Sequence, residues 1–259
     1  MAVSRSILSL DDFEGAARRV LPRMIHGFVA GGAERDQGIC DNRAAFAELA
    51  FVTRVLGGVA GRSQCVTVMG RDYASPIGIA PMGAAAICGY RADFAMARAA
   101  AAANVPMAFS AASLVRLEDV RAEGPTAWCQ GYIPGDPARI EPMIDRVAAA
   151  GYDTFVVTAD VVVPANREYN IRNDFRLPIR VTPRVVADCA TRPGWVIGTL
   201  LRTLARHGMP RFENMDAVRG PPIGSRTLER NIDRRDALCW ADVAAIRRRW
   251  QGKLAIKGI

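Results

Sequence analysis

Lysine and histidine are scarce in this chain of 259 residues. The only lysines are Lys253 and Lys257, and the only histidines are His26 and His207, so arginine carries almost all of the net charge of +8. A basic protein can bind acidic partners such as nucleic acid or anionic lipid headgroups. The chain has no zinc-finger spacing, no aromatic RNP-like strand and no basic heptad helix. We therefore expect a solvated basic surface and no nucleic-acid partner.

Paired cysteines and long apolar runs are missing as well. The six cysteines lie far apart without a C-x-x-C pair, which indicates reduced thiols and argues against a disulfide framework or a metal site. No stretch reaches the ~20 apolar residues of a membrane span. Acidic residues come too early in the N-terminal segment for the apolar core of a signal peptide. These features predict a cytoplasmic protein.

From Pro76 onward the sequence repeats a pattern of short apolar run, turn and amphipathic helix. Strands are predicted at 76–81, 106–110, 126–133, 154–160 and 253–259, with helices at 92–103, 117–122, 137–150 and 240–250. Strands that alternate with helices of this length indicate βαβ units and a parallel α/β sheet. Residues 1–75 are interpreted as a helical lead-in that packs on the main domain.

The number of strands decides between two architectures. A closed (β/α)₈ barrel takes eight strands and about 250 residues, whereas the pattern here supplies five strands. We therefore predict a partial barrel that contains an irregular, arginine-rich insertion at about 172–235. The alternative is an open doubly wound sheet that is complete as it stands, although no G-x-G-x-x-G follows the first strand.

Polar residues cluster where the predicted strands end, which is where a parallel barrel carries its functional side chains. The strand ends present Pro81, Met82 and Gly83, then Ser110, then Gln130 and Tyr132, then Thr158 and Asp160, and finally Lys257. Gly83 permits close backbone approach, and the mixed donors and acceptors suit a flat heterocycle such as a flavin better than a sugar or a metal. Gln130 and Thr158 could instead cap strand ends, and Tyr132 could be an aromatic residue at the edge of the core. Lys257 is the strongest single indication of a functional site, because an apolar strand rarely buries a cation without a partner.

Six segments, taken in order, resemble the family of FMN-dependent α-hydroxy-acid dehydrogenases and oxidases. They are LPRMIHGFVAGGAE, IAPMG, FSAAS, WCQGY, VTADV with NREYNIRNDF, and LAIKGI, which together extend from Leu21 to Ile259. The region RPGW…RHGMPRFENM is most similar to the mandelate dehydrogenase branch. The resemblance implies one incomplete domain over residues 1–259, a TIM (β/α)₈ barrel of the FMN-linked type with about its first five strands present.

The resemblance also implies an activity and partners. The expected reaction is the FMN-dependent oxidation of a 2-hydroxy acid, lactate-like or mandelate-like, to the 2-oxo acid. Electrons would pass to a quinone, a cytochrome or oxygen, and full-length relatives are expected to form homo-oligomers.

Individual residues receive roles from the same resemblance. The residues expected to bind the flavin are Pro81, Met82, Gly83, Ser110, Gln130, Thr158 and Lys257. Among them, Lys257 would stabilise the anionic reduced ring near its pyrimidine end. Phe28, Tyr132 and Arg167 are expected to bind substrate. Tyr132 would contact the developing oxyanion, and Arg167 would hold the substrate carboxylate with its planar fork.

Three features depart from the family pattern. Phe28 stands where the family usually has a tyrosine, so one hydroxyl donor is lost. Gly131 replaces a larger apolar residue, which is expected to loosen its strand. The base histidine, a second substrate arginine and the flavin phosphate site belong to later strands of the family and have no counterpart here; His26 and His207 lie outside the base motif. Because loss of a general base costs ~10²- to 10⁴-fold in rate, we expect this chain alone to be inactive or nearly so.

Two further hypotheses remain open from the sequence. The chain could be a non-catalytic, truncated gene product of the same family. It could also be another FMN barrel, such as an isomerase that uses reduced flavin, although Arg167 would then have no carboxylate to meet.

The insertion contains a basic amphipathic helix. Apolar residues recur at 196, 197, 200, 201 and 204, which is helical spacing, and Arg202 and Arg206 flank them. A helix of this kind can lie in a bilayer interface, and in the mandelate dehydrogenase branch the insertion is associated with peripheral membrane attachment. We therefore expect peripheral contact with the inner face of the plasma membrane. Packing of the helix on the barrel or on a neighbouring subunit is the alternative.

Overall fold

The computed structural model describes residues 7–133, 136–163, 165–225 and 235–259. Its α-helices are α1 (Asp12–Val20), α2 (Arg23–Ala30), α3 (Gln37–Ala47), α4 (Ala92–Ala103), α5 (Leu117–Glu123), α6 (Pro137–Ala149), α7 (Glu168–Arg172), α8 (Pro183–Ala190), α9 (Pro193–Trp195), α10 (Arg202–His207) and α11 (Trp240–Arg249). A π-helix, Val196–Leu201, joins α9 to α10. The strands are β1 (Val66–Val68), β2 (Arg71–Tyr73), β3 (Ala108–Ser110), β4 (Trp128–Tyr132), β5 (Thr154–Thr158) and β6 (Lys253–Lys257).

The chain divides into two compact units. The first consists of Met1–Val55, Ile87–Tyr90 and Ala165–Gly208. The second consists of Leu56–Ala86, Arg91–Pro164 and Met209–Ile259.

The first unit is helical and contains much of the region predicted to be irregular. Thr182 accepts a hydrogen bond from the backbone N–H of Val185 at 3.2 Å, and Pro183 follows it, so α8 begins with a strong start signal. The unit's core consists of Leu21, Met24, Ile25, Phe175, Val185 and Trp195. The prediction of an irregular insertion at about 172–235 is therefore wrong for α8 and α9, because the buried side chains of Val185 and Trp195 anchor these two helices. The helix predicted at 196–204 is confirmed by the π-helix and α10. Residues 226–234 of the predicted insertion lie outside the described residues.

The second unit is built on a parallel sheet with the order β3-β4-β5-β6. The predicted βαβ pattern is confirmed here: α4, α5, α6 and α11 stand where helices were expected, with shifts of at most one residue at their ends. A separate antiparallel hairpin pairs β1 with β2. Its turn residues Met69 and Gly70 have φ values of 50° and 71°, the left-handed pair that a tight two-residue hairpin turn requires.

Alternate residues of the parallel sheet face opposite sides, because side chains alternate along a strand. One side carries Phe109, Cys129, Phe155, Val157 and Leu254, which pack with apolar residues of α4, α5, α6 and α11 into the main core. Burial raises the pKa of the Cys129 thiol to about 12, so this sulfur stays protonated and unreactive at neutral pH. The helices therefore cover one face of the sheet.

The first predicted strand, 76–81, is much shorter in the structure. Only Ile79 pairs with the sheet, through a bridge to Met107 in which Ile79 N donates to Pro106 O at 2.8 Å and Ala108 N donates to Ile79 O at 2.9 Å. The expectation of five full strands is therefore corrected to four strands and one bridge. Pro76 and Pro81 flank this segment, and a proline has no N–H to donate to a ladder.

Gly131 does not leave the sheet loose, contrary to the expectation from its small size. A Cβ placed on Gly131 would come within 2.6 Å of Cζ of Phe155 and 3.3 Å of the Met143 methyl carbon. The Phe155 ring therefore occupies the space of the missing side chain. Gly131 also keeps its register partner Val157 in β5.

Candidate functional site

Five of the predicted site residues share the sheet face opposite the one on which α4, α5, α6 and α11 pack. Ser110 is paired with Gln130, and Thr158 is paired with both Tyr132 and Lys257. Paired residues of a parallel sheet point to the same side, and Gln130 and Tyr132 are two residues apart on β4. Ser110, Gln130 and Thr158 are buried, whereas Tyr132 and Lys257 are half-buried. The carboxyl ends of four neighbouring strands thus present one polar surface.

Gln130 and Thr158 form the centre of this surface. Gln130 Nε2 donates to Thr158 Oγ1 at 2.6 Å, and the Gln130 side chain is 1% exposed. Gln130 Oε1 is buried and accepts no hydrogen bond from any described residue. A buried acceptor without a donor is costly, and native proteins rarely leave one unexplained. This oxygen marks the position at which a bound group can donate a hydrogen bond.

Pro81, Met82 and Gly83 follow the bridge at Ile79 and approach the turn after β3. A Cβ on Gly83 would come within 2.9 Å of Cβ of Ala112, so Gly83 allows the two backbone segments to pack closely. Pro81 and Gly83 are half-buried, and Met82 is exposed. At the turn itself, Ser110 Oγ accepts a hydrogen bond from the Ala112 N–H at 3.2 Å.

Lys257 is paired with the carboxylate of Asp160. The sequence placed Asp160 at a strand end, but no role was predicted for it. Lys257 Nζ donates to both oxygens of Asp160 at 2.9 and 2.8 Å. Gly258 has a φ of 99°, and a Cβ there would collide with Asp160, so only glycine lets β6 end against this residue. The sequence contained a signal for the ion pair between Asp160 and Lys257, because an acidic residue follows β5 and the neighbouring strand, β6, ends in a cation.

Phe28 and Arg167 belong to the first unit and contact each other there. Arg167 Nη2 donates to the carbonyl oxygens of Phe28 at 2.7 Å and Gly31 at 2.5 Å. The guanidinium carbon lies 5.0 Å from the centroid of the Phe28 ring, which stacks on Phe175 at 4.3 Å. A cation beside the last carbonyls of α2 satisfies acceptors that a helix leaves unpaired and complements its dipole.

A cavity of about 770 Å³ lies in the first unit but contains none of the predicted site residues. Arg18, Arg23, His26 and Arg192 contribute to its lining, with Glu14 as the one carboxylate. Within the ranges that the structure describes, no group of His, Cys, Asp and Glu side chains is arranged to hold a metal ion. In the same ranges, no helix is both long and apolar enough to cross a bilayer.

Comparison with known proteins identifies the family. The family model for FMN-dependent dehydrogenases matches residues 17–259. The (S)-mandelate dehydrogenase of Pseudomonas putida is 29% identical over 99% of this chain, and a putative L-lactate dehydrogenase of Mycobacterium tuberculosis is 33% identical over 97% of it. The chain spans 64% and 59% of the lengths of these two relatives.

Solved structures lead to the same group. The crystal structure of the monotopic membrane protein (S)-mandelate dehydrogenase superposes with a TM-score of 0.82 and 27% identity, covering 96% of this chain and 65% of that one. A crystal structure of mandelate oxidase superposes with a TM-score of 0.70 and 28% identity, covering 97% of this chain and 62% of that one. These neighbours are TIM barrels, and the parallel sheet of the second unit is consistent with part of such a barrel. The matches confirm the resemblance drawn from the six sequence segments, and the chain belongs to the family of FMN-dependent dehydrogenases.

Proposed function

We propose that this chain carries the flavin-binding and part of the substrate-binding surface of an enzyme that oxidises 2-hydroxy acids. FMN is the cofactor of the family, and the relatives include lactate and mandelate dehydrogenases. The observation that carries the proposal is the single polar face at the ends of β3 to β6, with Gln130 Oε1 at its centre, which accepts no hydrogen bond from the described part of the chain.

The residues of this face fit the flavin ring. The edge of an isoalloxazine carries both donors and acceptors, so its ring N–H can donate to Gln130 Oε1. The Ser110 and Thr158 hydroxyls can donate to its acceptors. The backbone of Pro81 to Gly83 would pack on the ring, because this segment is only partly buried and Ala112 backs Gly83 closely. When bound, FMN supplies the hydride-accepting chemistry that amino-acid side chains lack.

Lys257 would place positive charge beside the pyrimidine end of the ring. Asp160 compensates this charge in the present structure and fixes the ammonium group at the end of β6. The pair is half-exposed, so its contribution to folding is small. We therefore assign Lys257 mainly to flavin binding and to stabilisation of the negative charge of the reduced ring.

Tyr132 and Arg167 are proposed to position the substrate, with Phe28 as an apolar neighbour of its side chain. A planar guanidinium suits a carboxylate, and the two carbonyl contacts of Arg167 fix its orientation. Placing the α-carbon and its hydroxyl against the flavin lowers the barrier through orientation. No residue of this chain is proposed to remove the substrate proton, since His26 and His207 lie outside the base motif.

Flavin titration and turnover assays of the purified chain test the proposal. We expect quenching of flavin fluorescence, with riboflavin binding within a few-fold of FMN because none of the residues proposed to bind the flavin is assigned to its phosphate. We also expect no measurable oxidation of lactate or mandelate. Absence of binding for both flavins would refute the proposed site and favour a non-catalytic gene product. Robust FMN-dependent turnover would instead refute the proposed inactivity.

Peripheral membrane contact is the second part of the proposal, and the segment from Pro193 to His207 would make it. Ile197 and Leu201 are 66% and 51% exposed, one helical turn apart. Val196 and Leu200 instead pack on the core of the first unit, and Trp195 Nε1 donates to the Ile87 carbonyl at 2.8 Å. One relative of known structure is itself a monotopic membrane protein. Sedimentation with anionic vesicles, weakening as salt is raised, would support the contact, whereas equal retention on neutral vesicles at any salt concentration would count against it.

The electron acceptor, a homo-oligomeric state and a cytoplasmic location also remain proposals. A quinone, a cytochrome or oxygen could reoxidise the flavin. The single incomplete domain over residues 1–259 is a proposal as well. One thermal transition shared by Trp195 and Trp250 fluorescence would support it, and two separate transitions would contradict it.

A further inference from the structure

A buried carboxyl group contacts the turn that follows β3 and takes no part in the proposed chemistry. Asp93, in the first turn of α4, is 1% exposed. Its Oδ1 accepts a hydrogen bond from Ser113 Oγ at 2.7 Å, and its Oδ2 is buried with no partner among the described residues. Burial raises the pKa of Asp93, and the hydrogen bond from Ser113 opposes that shift. Such a group costs free energy that an apolar residue would not cost, so its presence calls for a positional explanation.

Ser113 closes the turn that follows β3. Its N–H donates to the carbonyl of Ser110 at 3.0 Å, and its Oγ accepts from the N–H of Val115 at 3.2 Å. Ser113 is completely buried. The contact with Asp93 therefore fixes the far end of the turn against α4.

The same turn touches both neighbouring parts of the candidate site. On one side, Ala111 N donates to the carbonyl of Gln130 at 2.8 Å. On the other side, Ala84 N donates to the carbonyl of Ala112 at 2.9 Å, and Gly83 packs on the Ala112 methyl group. A displacement of the turn would thus move Ser110, Gly83 and the backbone of Gln130 relative to one another.

We propose that Asp93 is a positioning residue that acts through Ser113 to hold the turn at 110–113 in the arrangement that receives the flavin ring. The inference rests on the proposed flavin site. What the turn needs from position 93 is an acceptor for the Ser113 hydroxyl, and an asparagine side chain supplies one without an ionisable group. Asp93→Asn should therefore retain the arrangement, whereas Asp93→Ala and Ser113→Ala should lose it.

Hydrogen exchange of the flavin-free chain tests the contact directly. In Asp93→Ala and in Ser113→Ala we expect the amides of residues 111–113 to exchange roughly tenfold faster, with β5 unchanged. Asp93→Asn should exchange like the wild type. Asp145→Ala is the matched control, because it removes a carboxylate bonded to Arg249 at 2.6 and 2.8 Å on the outer helices. Unchanged protection in both disrupting variants overturns the proposal; if Asp93→Ala does not fold, Ser113→Ala and Asp93→Asn decide it.

Flavin titration of the same variants measures the affinity for riboflavin, which should stay unchanged if Asp93 had a purely structural role. Asp93→Ala and Ser113→Ala should each weaken riboflavin binding about tenfold, the cost of roughly one hydrogen bond. The double variant should be no weaker than either single variant, because both remove the same contact. Asp93→Asn and Asp145→Ala should bind within twofold of the wild type. Equal affinity in all variants overturns the inference, whereas absence of binding by the wild type refutes only the flavin site and leaves the exchange result to decide.

Discussion

Gln130 Nε2 and Thr158 Oγ1 lie 2.6 Å apart across the two central strands of the parallel sheet. The bond joins two buried side chains, so neither can form a replacement hydrogen bond with water when the other is removed. It therefore links the stability of the sheet to the geometry of the candidate site.

Thr158→Val should leave Gln130 Nε2 buried without an acceptor. We expect the free energy of unfolding to fall by ~1–3 kcal/mol and flavin binding to weaken. Thr154→Val is the matched control on the same strand and face, because Thr154 Oγ1 bonds Asp153, whose exposed carboxylate water can solvate. Urea denaturation and flavin titration measure the two effects. Equal losses in both variants would contradict the special role of the Gln130 contact.

Gly131→Ala should force the Phe155 ring out of its place, since the new Cβ would lie 2.6 Å from Cζ of that ring. Overpacking of a tight core costs ~1–3 kcal/mol, and we expect a loss of that size in urea denaturation. Replacing the Phe155 ring by the smaller leucine side chain, in Gly131→Ala/Phe155→Leu, should restore part of the stability that Gly131→Ala loses. A fully stable Gly131→Ala protein would show that the space is not closed.

Lys257→Met should weaken flavin binding several-fold and change the unfolding free energy by less than ~1 kcal/mol, because its ion pair with Asp160 is half-exposed. Lys253→Met is the control. It removes the only other lysine, which lies on the same strand but at its opposite end, 3.7 Å from Asp153. Flavin titration separates the two variants. The same affinity in both would remove Lys257 from the site.

Cys129 should make stability depend on alkaline pH. Its pKa is about 12 in the fold against an ordinary 9.0, so the unfolded chain loses this proton first as pH rises. The contribution is complete below pH 9 and is lost progressively towards pH 12. Between pH 9 and 10 the unfolding free energy should fall by up to about 1.4 kcal/mol from this group. Cys129→Ala should show a correspondingly smaller fall, and an identical slope in both proteins would contradict the assignment.

Ile197→Asn/Leu201→Asn should reduce binding to anionic vesicles several-fold without a change in thermal stability, since both side chains already face solvent. Val218→Asn is the control, because Val218 is at least as exposed as these two residues but lies outside the segment from Pro193 to His207. Vesicle sedimentation at low salt measures the difference. Unchanged binding by the double variant would favour packing of this segment on protein.

Local signals predicted most of the second unit. The alanine-rich helix begins at Ala92 and ends at Ala103 as predicted, because its composition favours helix and Asn104 ends it with a left-handed φ of 48°. The amphipathic pattern at 196–204 was also predicted correctly as helical, although part of it is a π-helix. The prediction of a strand at 76–81 was wrong, because the pattern of apolar residues cannot show which backbone groups find hydrogen-bond partners across the sheet.

The amino-acid sequence by itself determined the family, the order of the βα units and the side chains at the strand ends, because each of these depends on residues close together along the chain. Tertiary structure alone decided that Gln130 Oε1 finds no donor among the residues that the structure describes, that Asp160 binds Lys257 and that Asp93 accepts a hydrogen bond from Ser113. The last two contacts join residues that are 97 and 20 positions apart along the chain. Only strand register and helix packing bring such residues into contact, and no local pattern encodes their distances.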